Sequence, residues 1–122
     1  MTADDFARLA LALPDAVESA HFGKRDFRIG NKIFASLPSP DLAALKLVPD
    51  QQAMVVEMHG PLFSAVANAW GVRGCTHLAL ADCAEDIAKA ALVLAWTNAA
   101  PKSLRKSLAQ PPISGVRSSS SA

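Results

Sequence analysis

Apolar residues recur at helical spacing at Phe6, Leu9 and Leu13, and Thr2 with Asp5 forms a capping box ahead of them. The chain therefore opens with a helix that must end before Pro14. The rhythm then changes, and Val17 to Leu37 reads as strands, with Gly30-Asn31 as the two-residue turn of a hairpin. That turn sets Phe27 opposite Phe34 and leaves Lys24, Asp26 and Arg28 against Ile33, Ala35 and Leu37 on the other face, a mixed surface that is either only partly covered or the mark of a register shifted by one. Pro38-Ser39-Pro40 breaks the run, and Leu42 to Leu47 reads as a further strand. Pro49 and Asp50 open a helix through Met58, with Gly60 as its C-cap. Gly71 and Gly74 bracket a tight turn after Trp70, and Thr76 to Leu80 alternates as a strand. Asp82 with Glu85 is a second capping box, leading a long helix whose buried stripe is Ile87, Ala91, Leu94 and Ala95. Pro101 suits the first turn of a short last helix that packs Leu104 and Leu108. Helix, strands, helix, strand, helix is the order of an α+β domain with a meander-like antiparallel sheet.

Composition narrows the class. The 122 residues are 51% hydrophobic and 19% charged, a length and balance that suit one globular domain with a single core. Two cysteines make no disulfide framework, no stretch approaches the ~20 apolar residues of a membrane span, and the N-terminus has no secretory-signal pattern. A cytoplasmic location is expected. The formal charge is +1, but residues 1–100 carry eight basic and eleven acidic side chains, while residues 101–122 carry Lys102, Arg105, Lys106 and Arg117 and no acid. The body is mildly acidic and the C-terminus basic. Residues 110–122, rich in Pro and Ser, are expected to form a disordered tail after a domain spanning residues 1–109.

Little in the chain carries catalytic chemistry. No Gly-x-Ser-x-Gly elbow occurs, and Cys75 and Cys83 suit small core positions. Cys75 and His77 share a strand face, with Cys83 nearby, but a closed zinc site needs four ligands, usually in close Cys pairs. The glycines between Gly23 and Lys32, and Gly71-Val72-Arg73-Gly74, lack phosphate-loop spacing and suit turns. Asp4-Asp5 and Glu85-Asp86 lie at helix starts, where the helix dipole accounts for them. One group stands out. Lys24, Arg25, Arg28 and Lys32 cluster on the hairpin among Phe22, Phe27 and Phe34, an arrangement that can follow a phosphate backbone. Edge strands also carry such cations simply to block aggregation, and Asp26 partly neutralises the set.

The stretch His21-Phe-Gly-Lys-Arg-Asp-Phe-Arg-Ile-Gly-Asn-Lys-Ile-Phe-Ala-Ser-Leu37, then Ala44-Leu-Lys-Leu47 and Pro49-Asp-Gln-Gln52, resembles the MmcQ/YjbR family of small bacterial proteins. Trp70-Gly-Val-Arg-Gly-Cys-Thr-His-Leu-Ala-Leu80 and Leu94-Ala-Trp-Thr-Asn-Ala-Ala-Pro-Lys-Ser-Leu104 also look like that pattern, in colinear order from about residue 2 to 108. The resemblance implies a frataxin-like (CyaY-like) α+β fold, a curved antiparallel sheet with helices packed on one face. It also implies a DNA-binding protein with a double-wing arrangement, a label that rests on fold comparison. The iron-binding acidic ridge of frataxins has only Asp4, Asp5, Asp15 and Glu18 as counterparts here.

The expectation is a non-enzymatic DNA-binding domain, phosphate-led and weakly sequence-specific. Lys24, Arg25, Arg28 and Lys32 would form one wing, Lys46 and Arg73 would lie on adjacent sheet positions, and Lys102, Arg105 and Lys106 would add a basic strap. The alternative is a small-molecule-binding or sequestering protein, with a pocket between sheet and helices lined by Trp70, Phe34 and Phe63 and anchored by His21 and Arg28. Neither reading calls for a cofactor or a metal. A monomer that stays off membranes is expected, and Trp70, Trp96, Gly71 and Gly74 are expected to be packing and turn residues.

Overall fold

The computed structural model describes residues 1–109, so the expected tail with Arg117, and the side chains of Lys106 and Leu108, lie outside the described residues. Helix α1 (Ala3–Leu11) begins where Thr2 and Asp5 complete their capping box, the Thr2 hydroxyl accepting from Asp5 N at 3.1 Å and Asp5 Oδ2 from Thr2 N at 2.9 Å. Strands β1 (Val17–His21), β2 (Lys24–Ile29), β3 (Lys32–Ser39) and β4 (Leu42–Lys46) then form a meander. Helix α2 (Pro49–His59) precedes a short strand β5 (Phe63–Ala65), one helical turn α3 (Ala69–Val72) and strand β6 (Cys75–Ala79). Helices α4 (Glu85–Ala99) and α5 (Lys102–Ala109) end the described chain. The strands make one antiparallel six-stranded sheet in the order β1-β2-β3-β4-β6-β5, and the fold is the expected α+β class with a curved sheet.

The core lies between the sheet and α1 and α4. Phe6, Ala7 and Ala10 of α1 meet Phe27, Ala35, Leu45 and Leu78 from the strands and Ala88, Ala91, Leu92, Ala95 and Trp96 from α4, all buried. Trp96 is fully enclosed and its indole N–H donates to Pro14 O at 3.0 Å, which satisfies the one polar atom that burial would otherwise strand. The buried stripe of α4 differs from the expected one: Ala91 and Ala95 are buried, but Ile87 and Leu94 are only partly so. Helix α4 also starts without the expected capping box. Its N-cap is Ala84, and Asp86 instead accepts from Ile87 N at 2.9 Å.

The β2–β3 pairing departs from a simple alternation, and the departure defines the second face of the sheet. The Gly30-Asn31 turn forms as expected, both residues at positive φ (56° and 67°), but Phe27 pairs with Ala35, not Phe34. A bulge between Phe27 and Arg28 adds a residue to β3, so Phe34 and Ala35 are both buried and parity switches beyond them. Lys24, Asp26 and Arg28 therefore face Ile33, Ser36 and Pro38, in place of Ile33, Ala35 and Leu37. Alternation alone cannot foresee an inserted residue.

Candidate functional site

Among the described residues, no helix covers the second face of the sheet. One row of register partners crosses all six strands there: Ser19, Asp26, Ser36, Ala44, His77 and Ser64. At the ~4.8 Å spacing between strands this row is about 24 Å wide. It is built of small or polar side chains, and apart from Asp26 each is partly or fully exposed. Along β3 the same face forms a depression of about 210 Å³, walled by His21 and Lys24 at one end and by Ile33 and Lys46 at the other, with Asp26 and Ser36 in its floor.

The strands carry two acids, Glu18 and Asp26, and only Asp26 faces this side. It is 2% exposed and takes two hydrogen bonds from Arg28, from Nε at 2.8 Å and Nη2 at 3.1 Å. This fork leaves the floor near neutral, and the hydrogen bond to Asp26 holds the Arg28 proton more firmly than water would. Arg25 points to the helix side of the sheet, where Nε reaches Glu18 at 2.7 Å and Nη1 reaches Asp4 of α1 at 2.8 Å. Those two carboxylates, Glu18 first, raise its already high pKa further.

The six expected cations thus separate into two groups. Arg25 and Arg28 are neutralised within the fold, and among the described residues Lys24, Lys32, Lys46 and Arg73 have no carboxylate partner. The hairpin of the expected wing does not stand free, because β1 pairs with the outer side of β2 and makes the β2–β3 hairpin an interior part of the sheet. Lys24 lies beside the β1–β2 turn at one end of the sheet, and Lys32 lies beside the β2–β3 turn at the other.

Lys46 and Arg73 meet at Trp70. Lys46 Nζ lies 4.4 Å from the ring centroid and the Arg73 guanidinium carbon 5.4 Å, within cation–π range. Trp70 is 53% exposed, which corrects its expected role as a packing residue. Its neighbours do pack. A Cβ on Gly71 would stand 1.7 Å from Val66 O, and one on Gly74, at φ +113°, would stand 2.2 Å from Leu47 O. Gln52 of α2 fixes the same turn, its amide nitrogen donating to Gly71 O (3.1 Å), Cys75 O (3.0 Å) and Thr76 Oγ1 (3.2 Å). Asn68 caps α3 by accepting from Trp70 N at 2.9 Å. The glycine motif is a rigid mount that displays Trp70 and Arg73 beside Lys46.

A second aromatic was missed as a surface group. Phe22 occupies the β1–β2 turn with φ 52°, ahead of Gly23 at φ 76°, and is 90% exposed, touching the ring of His21 at a centroid distance of 4.3 Å. The signal was present in the sequence: His21-Phe22-Gly23-Lys24 is a two-residue turn with Phe where Asn or Asp is preferred.

The pocket expected between sheet and helices is filled. Phe34 is 0% and Phe63 2% exposed, both inside the core, so neither can line a ligand site, and His21, Arg28 and Trp70 belong to the open face instead. Cys83 is buried and Cys75 partly so, and burial raises both thiols above their ordinary pKa, with Lys46 opposing this at Cys75. Cys75 and His77 share the open side, and among the described residues no group of three or more His, Cys, Asp or Glu could hold a metal ion. No described helix is long and apolar enough to cross a membrane.

A family model, YjbR, matches residues 11–98. The crystal structure of a Deinococcus radiodurans protein with a DUF419 domain is similar, with a TM-score of 0.67 and 18% identity over 90% of this chain and 89% of that one. No curated protein matches the chain.

Proposed function

The chain belongs to the YjbR family, and from that membership we propose that it binds DNA through the open face of its sheet, led by phosphate contacts and without catalysis. The observation that carries the reading is the sorting of charge. Lys24 and Lys46 border a trough of small side chains, Arg73 stands beside it, and the one acid on that face is held by Arg28. The remaining acids of the strands and of α1 lie on the helix side or bind Arg8 and Arg25. A polyanion is attracted to this face by its unpaired cations, even though the formal charge is only +1. Such binding is expected in the cytoplasm, by a monomer, without a cofactor.

The trough is small for the alternative ligand. Pockets for drug-sized molecules run from about 300 Å³ upward, and this one is about 210 Å³ and open along its length.

Fluorescence anisotropy of labelled DNA, presented both as a duplex and as a single strand, tests the reading at two salt concentrations. Replacing Lys24 and Lys46 together with Ala should weaken binding to whichever form is bound. The salt slope should fall by about 1.8 for a duplex or about 1.4 for a single strand, the contribution of two phosphate contacts. Equal affinity and slope in the double variant, or no binding of either form, contradicts it.

A further inference from the structure

We infer that the open-face trough takes single-stranded DNA, with bases stacking on Trp70 and Phe22; the inference rests on the proposed DNA reading and specifies the form of the nucleic acid. The two most exposed aromatic side chains of the described fold stand at opposite ends of this trough. Phe22 is 90% and Trp70 53% exposed. Phe22 adjoins His21 and Lys24 at one end, and Trp70 rests against Lys46 at the other. Between them the face runs from Pro38 to Ile33 along β3, about 16 Å at ~3.3 Å per residue. An exposed aromatic ring at each end of a groove bordered by Lys24 and Lys46 suits the holding of unpaired bases while the cations track the phosphates.

A duplex uses this surface poorly. It keeps its bases stacked inside and offers a protein only backbone and groove edges, so neither exposed ring would meet a base face. Among the described residues, no element projects from the shallow floor of Ser36 and Asp26 to enter a groove. The mounting of Trp70 argues the same way. Gln52, Asn68 and the close approaches at Gly71 and Gly74 hold the α3 turn rigid, so the ring is presented without an ordering cost when a base arrives. Phe22 sits at positive φ, a conformation disfavoured for a bulky residue and concentrated at functional sites.

The test uses the full chain with a 12-nucleotide oligo(dT), a blunt duplex of equal length and an oligo(rU). Trp96 is fully enclosed, so tryptophan quenching on titration reports Trp70. The expected result is tighter binding of oligo(dT) than of the duplex at the same salt, with quenching. Trp70→Leu and Phe22→Asn should each weaken oligo(dT) binding about five- to a hundredfold and leave the salt slope unchanged. Phe22→Asn removes an exposed side chain from a turn that favours Asn, so it keeps the test valid if Trp70→Leu disturbs α3. Duplex binding as tight as oligo(dT) overturns the inference while leaving the DNA reading in place. So does an affinity for oligo(dT) that depends on Lys24 and Lys46 but ignores both aromatics. Tighter binding of oligo(rU) overturns the assignment to DNA, and no binding of any probe overturns the reading beneath it as well.

Discussion

Replacing Phe22 with Asn should stabilise the protein while weakening its binding. Phe22 holds φ 52° in a two-residue hairpin turn, a left-handed conformation that costs a side-chain-bearing residue roughly 1–2 kcal/mol and that Asn tolerates far better. Little burial is lost in exchange, since the ring is 90% exposed and its aromatic contact is with His21 at 4.3 Å. That contact and the smaller cost of the same φ for Asn together offset about 0.5–1 kcal/mol, which leaves a net gain of about 0.5–1 kcal/mol. In a domain of this size the melting temperature should rise by roughly 2–6 °C, read by circular dichroism at fixed concentration. Phe22→Ala is the control: Ala keeps the unfavourable φ and loses the His21 contact, so its melting temperature should stay level or fall. If Phe22→Asn melts no higher than the parent, or if Phe22→Ala gains as much, the stabilisation does not come from the backbone and the reasoning is refuted. A gain in stability together with unchanged DNA affinity would detach the strained turn from function.

Gly71→Ala should cost at least the roughly 1–3 kcal/mol of an overpacked site, because its Cβ would sit 1.7 Å from a backbone oxygen; an unchanged urea midpoint would contradict this. Gln52→Leu removes the side-chain hydrogen bonds to Gly71 O, Cys75 O and Thr76 Oγ1, for about 1–3 kcal/mol, and should loosen Trp70 enough to increase its quenching by acrylamide. The cysteines, whose folded thiols sit above the ordinary 9.0 because of burial, should resist alkylation at pH 7 in the folded state. In the unfolded chain they ionise first, so their contribution to stability is present below that value and declines as pH rises through it. Rapid labelling of native protein at neutral pH would contradict this.

Most of the fold was legible because it is written in local signals. Thr2 with Asp5, Gly30-Asn31, Pro49 and Gly60 mark boundaries through turn and cap chemistry, and the structure places elements at each. Strand β5 was not legible, since Phe63-Ser64-Ala65 is too short for any periodicity and is defined only by pairing with β6. The face of each hairpin residue was lost for a similar reason, because the bulge on β3 is a tertiary event. The candidate cations were all visible as residues, yet their availability was not. Arg25 and Arg28 look equivalent to Lys24 in the sequence, and only the fold brings Glu18 and Asp4 to the one and seats Asp26 against the other. Trp70 was misjudged because aromatic residues beside glycines usually pack; here the glycines pack and the tryptophan is displayed.

The central claim, that nucleic acid lies on the open face of the sheet, is tested most directly by mapping amide and side-chain NMR shifts during titration with a short DNA. The account predicts shifts along Ser19, Ser36, Ala44 and His77, at Lys24 and Lys46, and at the Trp70 indole, while Ala7 and Ala10 of α1 and Ala88 and Leu92 of α4 stay still. Shifts confined to α1, α4 or the basic residues after Pro101, with the sheet row unmoved, would contradict it.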